Sequence, residues 1–152
     1  MIRLNKLTDY AVVMLTQMSG ELGEVFTVPR LSQDSGVPQP TVAKLMKLLA
    51  RDGVVSSQRG AAGGYVLERA PEAISIAEII TALEGPIALT ACIDGADTSC
   101  SALSLCPMSG NWNKVNRAIQ QALSGVSLAD MTPEPVDFLA LEPREATARP
   151  GA

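Results

Sequence analysis

Histidine is absent from all 152 residues. The chain therefore lacks the side chain best suited to proton transfer near neutral pH and the commonest metal-binding imidazole. Aromatic residues make up only 3% of the chain, which leaves the core to aliphatic side chains and methionine. No stretch approaches the roughly 18 uninterrupted apolar residues of a membrane-spanning helix. The N-terminal "MIRLNKLTDYAVVML" scatters charges ahead of a short apolar run, with no small-residue cleavage site after it. A glycine-rich nucleotide loop and a C-x-x-C redox pair are missing as well. These absences point away from an enzyme and away from a membrane, toward a soluble cytoplasmic protein.

Acidic residues exceed basic ones, giving a net charge of −4, which taken alone disfavours nucleic acid as a partner. The distribution reverses that reading. Residues 1–69 carry eight Lys and Arg against six Asp and Glu, net +2, whereas residues 70–152 carry four against ten, net −6. Between 39 and 67, Lys44, Lys47, Arg51 and Arg59 face a single acid, Asp52. A locally basic strip on an acidic chain is an electrostatic footprint for phosphates, although a solvated helix face gives the same pattern.

Apolar spacing and helix punctuation order the chain. "LTDYAVVMLTQMSG" (7–20) reads as a buried first helix closed by glycine. "VPRLSQDSG" (28–36) is a short helix with Pro29 at its start and Gly36 at its end. "VPQPTVAKLMKLLARDG" (37–53) repeats the scheme with Val42, Leu45, Met46 and Leu49 as its apolar stripe. A short helix, a turn and a longer helix make a helix-turn-helix pattern. "VVSSQRGAAGGYVLE" (54–68) then places two β-prone runs around a tip holding Gly60, Gly63 and Gly64, a hairpin. "ISIAEIITALEGP" (74–86) opens with a capping box, Ser75 and Glu78. "NWNKVNRAIQQALSGV" (111–126) sets Trp112, Val115, Ile119, Ala122, Leu123 and Val126 at helical spacing, and that stripe needs a covering surface. A second copy of the chain and the chain's own core are both candidates.

The expected fold is mainly α with a small β wing: a winged helix-turn-helix with a long C-terminal dimerisation helix. Its parts are a winged-helix DNA-binding domain (1–70), a linking helix (71–90), a cysteine loop (91–110), the dimerisation helix (111–131) and a disordered tail (132–152) rich in Pro and small residues.

All three cysteines fall in "ACIDGADTSCSALSLCPMSGNW", with seven residues between Cys92 and Cys100 and five between Cys100 and Cys106. A structural disulfide suits neither a cytosolic chain nor an odd count. Zinc prefers four Cys or His ligands, commonly in closer pairs. An iron–sulfur cluster accepts loop thiolates. Oxidant-sensing thiols without any metal are a further alternative.

"KLTDYAVVMLT", "VPQPTVAKLMKLLARDGVVSSQRGAAGGYVL", "ISIAEIITALEGPIALTAC" and the three-cysteine loop resemble the IscR-type family of iron–sulfur-sensing winged-helix transcription regulators, most closely the regulators of the SUF assembly operon. The likeness runs from Met1 to about Met131. It implies a homodimer on double-stranded operator DNA, repressing SUF genes. Gln39, Pro40 and Thr41 would lead a recognition helix, Lys44 and Lys47 would follow, and Arg59 of the wing would enter the minor groove. Gln–adenine pairing, Lys–phosphate contact and an Arg in a narrow minor groove are the matching chemistry. The resemblance also implies a cluster on Cys92, Cys100 and Cys106. The family's best-known branch has a histidine three residues past the third cysteine, where this chain has Ser109. Nitric-oxide-sensing relatives instead supply an aspartate in a "TD.A" context from the partner subunit, and "TDYA" puts Asp9 there. The expected cofactor is thus an iron–sulfur cluster, [4Fe-4S] favoured over [2Fe-2S], with Asp9 of the other subunit as fourth ligand and Ser109 and Asn111 as runners-up.

Overall fold

The computed structural model describes residues 4–91, 93, 107 and 110–132. Helix α1 (Lys6–Ser19) starts where the Asn5 side chain accepts the Leu7 N–H, and it buries Thr8, Ala11, Met14, Leu15 and Met18. Strand β1 (Val25–Phe26) follows. Helix α2 (Val28–Ser35) is capped by Thr27 and stops at Gly36, whose φ of 72° is left-handed and therefore favours glycine. Helix α3 (Gln39–Arg51) turns Val42, Leu45, Met46 and Leu49 inward. Strands β2 (Ser56–Gln58) and β3 (Gly64–Val66) form the hairpin.

The sheet order is β1-β3-β2, antiparallel throughout, with Val25 and Ser56 flanking Val66 from either side. Strand β1, directly before α2, is thus a third strand that fastens the wing to the helices. Gly64 is needed at this contact, because a Cβ there would run into the Phe26 carbonyl.

A 3₁₀ turn (Pro71–Ala73) leads into α4 (Ile76–Glu84). Ser75 accepts the Glu78 N–H as the capping box requires. The reciprocal half does not form: the Glu78 carboxylate is taken by Arg69, whose Nη2 also donates to the Ala73 carbonyl at 2.6 Å. An arginine within reach outcompetes a single backbone N–H for that carboxylate. Helix α5 (Trp112–Ser124) comes last, ahead of a 3₁₀ turn (Ala129–Met131).

The expected dimerisation helix over 111–131 is therefore shorter than its span. It ends at Gly125, after which the chain returns to its own core. The Ile76 N–H donates to Val126 O at 2.9 Å, the Leu128 N–H donates to Ile74 O at 2.8 Å, and Leu128 is fully buried. One apolar cluster joins α1, α2, α3, α4 and Leu128, with Phe26 as its aromatic member. The expected tail lies outside the described residues beyond Thr132.

Candidate nucleic-acid interface and cysteine segment

Helix α3 has two faces. Its apolar side is sealed in the core. Gln39 and Pro40 are exposed in its first turn, Thr41 is half-buried, and Lys44 and Lys47 stand exposed one turn apart on the outer side. Arg59 is exposed at the wing tip, directly after β2. Among the described residues none of Lys44, Lys47 and Arg59 joins an ion pair.

Arg51 behaves differently from the strip to which its charge assigned it. Its Nε lies 2.7 Å from the Asp52 carboxylate, and its Nη2 donates to the Ala82 carbonyl on α4 at 3.4 Å. The hydrogen bond from Arg51 holds the Asp52 carboxyl below its ordinary value. Arg51 ties the end of α3 to α4, whereas Lys44, Lys47 and Arg59 stay exposed with no ion-pair partner among the described residues.

Cys92, Cys100, Cys106 and Ser109 lie outside the described residues, and Asn111 immediately precedes α5. Among the described residues, no three His, Cys, Asp or Glu side chains come together as a metal-binding group. Asp9 is described. It sits in the first turn of α1, exposed, where a negative charge is favoured by the helix dipole. No hydrogen bond or ion pair reaches its carboxylate among the described residues. It edges an open, mainly apolar groove of about 560 Å³ lined also by Leu4, Lys6, Val12, Ile76 and Met131. The donor set suits an iron–sulfur cluster: three soft thiols in one segment, and an unpartnered carboxylate elsewhere.

Helix α5 exposes part of its apolar stripe. Trp112 and Val115 are 40% and 44% exposed, and Val126 just past the helix is 37% exposed, while the polar Asn116 is only 3% exposed. Leu123 is the stripe member that packs against the chain's own core. Leu4, Val13 and Met131 add exposed apolar surface around Asp9.

Two tethers were not legible from spacing. Glu84, at the end of α4, accepts from the Asn5 N–H at 3.1 Å and from the buried Thr8 hydroxyl, joining α4 to the start of α1. Asn116 bonds the backbone that follows α4. Polar residues on an amphipathic helix are read as solvent-facing, so nothing in the spacing pointed to Asn116 as inward.

The fold is shared with solved regulators. A structure of CymR, titled the global cysteine regulator of B. subtilis, matches with a TM-score of 0.65 at 24% identity, covering 87% of this chain and 97% of that one. T. potens IscR matches with a TM-score of 0.61 at 26% identity, covering 86% and 85%. In sequence, a helix-turn-helix transcriptional regulator named ORF2 from Azotobacter vinelandii is 31% identical over 86% of this chain and 79% of its own length. None of the described helices is long and apolar enough to cross a membrane. A family model described as an iron-dependent transcriptional regulator matches residues 4–134, and the chain belongs to that family, Rrf2: DNA-binding transcription regulators, not enzymes.

Proposed function

We propose that this chain is a homodimeric repressor of iron–sulfur assembly (SUF) genes whose operator binding is tuned by an iron–sulfur cluster. Cys92, Cys100 and Cys106 hold the cluster, [4Fe-4S] rather than [2Fe-2S], and Asp9 of the partner subunit is the fourth ligand. The observation that carries the cofactor reading is Asp9: an exposed carboxylate with no partner among the described residues, at the edge of an apolar groove, in a chain whose thiols lack an imidazole companion. Support for the SUF assignment comes from the resemblance of the cysteine loop and wing motifs.

On the DNA side, Gln39, Pro40 and Thr41 address base edges and phosphates in the major groove, Lys44 and Lys47 bind phosphates, and Arg59 enters the minor groove. On the sensing side, the cluster when bound supplies iron–ligand bonds that exist only when iron and sulfide are available. A carboxylate is harder than a thiolate, so the bond to Asp9 is the weakest point of the set. Asp9 lies one residue from Thr8, which meets Glu84 of α4, and α4 accepts Arg51 from the end of α3. This series of contacts links the sensing carboxylate to the recognition helix. Ligands that prefer one arrangement of a dimer change affinity at a second site by their differential binding energy, typically about 1–3 kcal/mol.

The test is anaerobic purification followed by iron and sulfide analysis and operator titration before and after cluster loading. Coloured protein whose operator affinity changes with loading is expected. Protein without iron or sulfide, binding its operator identically in both states, overturns the reading. In a second reading the thiols sense oxidants directly; a relative named CymR from Bacillus subtilis, 28% identical over 80% of this chain, fits this reading no better than the first, and the protein is then colourless and changes DNA affinity on oxidation.

A further inference from the structure

The wing ends with β3 at Val66, and shortly afterwards the chain meets α4. Leu67 is buried, and its carbonyl accepts the Gly23 N–H at 3.1 Å. At the hairpin base the Ser56 hydroxyl, on β2, donates to the Glu68 carboxylate at 2.8 Å. The two arms of the hairpin are therefore pinned to each other just before Arg69. Arg69 then grips α4 with both ends of its fork. Its Nη1 donates to Glu78 Oε1, and its Nη2 donates to Glu78 Oε2 at 3.2 Å and to the Ala73 carbonyl at 2.6 Å. Glu78 is itself held in the first turn of α4, where Ser75 accepts its N–H.

Such a pair does little for stability. The Arg69 and Glu78 side chains are 39% and 33% exposed, and ion pairs reached by water contribute little to folding. What a bidentate arginine–carboxylate pair supplies is direction, since two parallel bonds define an angle that one bond does not. Direction matters here because α4 also receives the end of α3, through the Arg51 bond to the Ala82 carbonyl at 3.4 Å. Glu78 and Ala82 stand one helical turn apart and line one recess together with Asp52. Helix α4 thus takes the recognition helix at one turn and the wing at the turn before it.

We propose that Arg69 is a positioning residue for DNA binding: through Glu78 it sets the angle of the wing against α3, so that both reach one half-site together. The contribution to affinity rests on the reading of Arg59 as a minor-groove contact; the orienting of the wing does not.

The experiment uses the full-length protein and a duplex that wild type selects from random-sequence DNA, in the loading state used for that selection. Dissociation constants are measured for wild type, Arg59→Ala and Lys44→Ala, each with and without Arg69→Met. Arg59→Ala is expected to weaken binding about tenfold in wild type and only about twofold beside Arg69→Met, where the displaced wing has already lost the contact. Lys44→Ala should cost the same factor in both backgrounds. Arg69→Lys keeps the charge without the fork and should restore only part of the Arg59 penalty. Equal Arg59 penalties in both backgrounds, or Arg59 and Lys44 penalties that shrink together, overturn the role in DNA binding. Wing orientation is read separately, in the free protein, from residual dipolar couplings of amides in β2, β3 and α3. Arg69→Met should change the hairpin couplings and leave those of α3 at wild-type values; unchanged hairpin couplings overturn the orienting role. Glu78→Gln carries both measurements if Arg69→Met does not fold. An Arg59→Ala protein that binds like wild type defeats the minor-groove reading and the role in affinity, and the couplings then decide the orienting role by themselves.

Discussion

Lys44 and Arg59 illustrate how little a single charge says until its neighbours are known. Both belong to a run of basic residues in which Arg51 looks equivalent, yet among the described residues only Arg51 finds a carboxylate and a helix carbonyl. Lys44→Ala is expected to weaken binding uniformly across DNA sequences and to lower the slope of log affinity against log salt by about 1. Arg51→Ala should leave that slope unchanged. Fluorescence anisotropy over a salt series distinguishes the two. On the proposed minor-groove placement of Arg59, Arg59→Ala is expected to reduce affinity and sequence preference together, because an arginine there reads groove width as well as charge. At Gly64 the constraint is steric. Gly64→Val drives a side chain into the Phe26 carbonyl and should cost about 1–3 kcal/mol of unfolding free energy in denaturant titrations. Asn116 is the residue least visible in advance, because a polar side chain at its position gives no sign in the sequence that it is buried against the backbone of 87–89.

Helix boundaries were largely readable, because caps are local chemistry. Asn5, Thr27 and Ser75 each accept a backbone N–H at a helix start, and these are the residue types whose short side chains can reach it. Long-range competition was not readable. Glu78 has the spacing of a capping box, but Arg69 sits nine residues earlier in the chain and takes its carboxylate. Glu84 is a similar case, joining α4 to α1 over 76 residues through the Thr8 hydroxyl. Glu84→Ala leaves that buried hydroxyl without its acceptor and should lower stability by about 1–3 kcal/mol.

The turn after α5 carries a pH signature. The Asp130 carboxylate accepts from the Ser127 N–H and hydroxyl at 2.8 Å, and these bonds hold its pKa below the ordinary carboxylate value. A group whose folded pKa is depressed adds stability above its unfolded pKa and loses it as pH falls through the folded one. Asp130→Asn should therefore lower the melting temperature at neutral pH, and the difference from wild type should vanish in acid below the depressed pKa.

Across the whole molecule, Trp112, Val115 and Val126 together with Leu4, Val13 and Met131 leave large apolar side chains exposed. Val115, in the first turn of α5, is exposed and is not a member of the apolar core. A charge there should abolish self-association while sparing the fold. If the proposed homodimer forms through this face, Val115→Glu is expected to sediment as a monomer where wild type sediments as a dimer, with an unchanged circular dichroism spectrum and much weaker operator binding, because two half-sites are no longer held together. Leu45→Ala marks the opposite case: a fully enclosed side chain of α3, expected to cost about 2–5 kcal/mol of stability.

Helix periodicity, terminal caps, the glycine-bearing hairpin and the three thiols without histidine were all set by neighbours along the chain. Those features carried the winged helix-turn-helix layout directly. Which polar groups are spent on the fold was settled by packing alone. Arg51, Glu78, Glu84 and Asn116 find partners through space rather than by spacing, and β1 became a strand because β3 came alongside it. A hydrogen bond made between distant segments depends on where the apolar core brings them, and one-dimensional order does not encode that proximity.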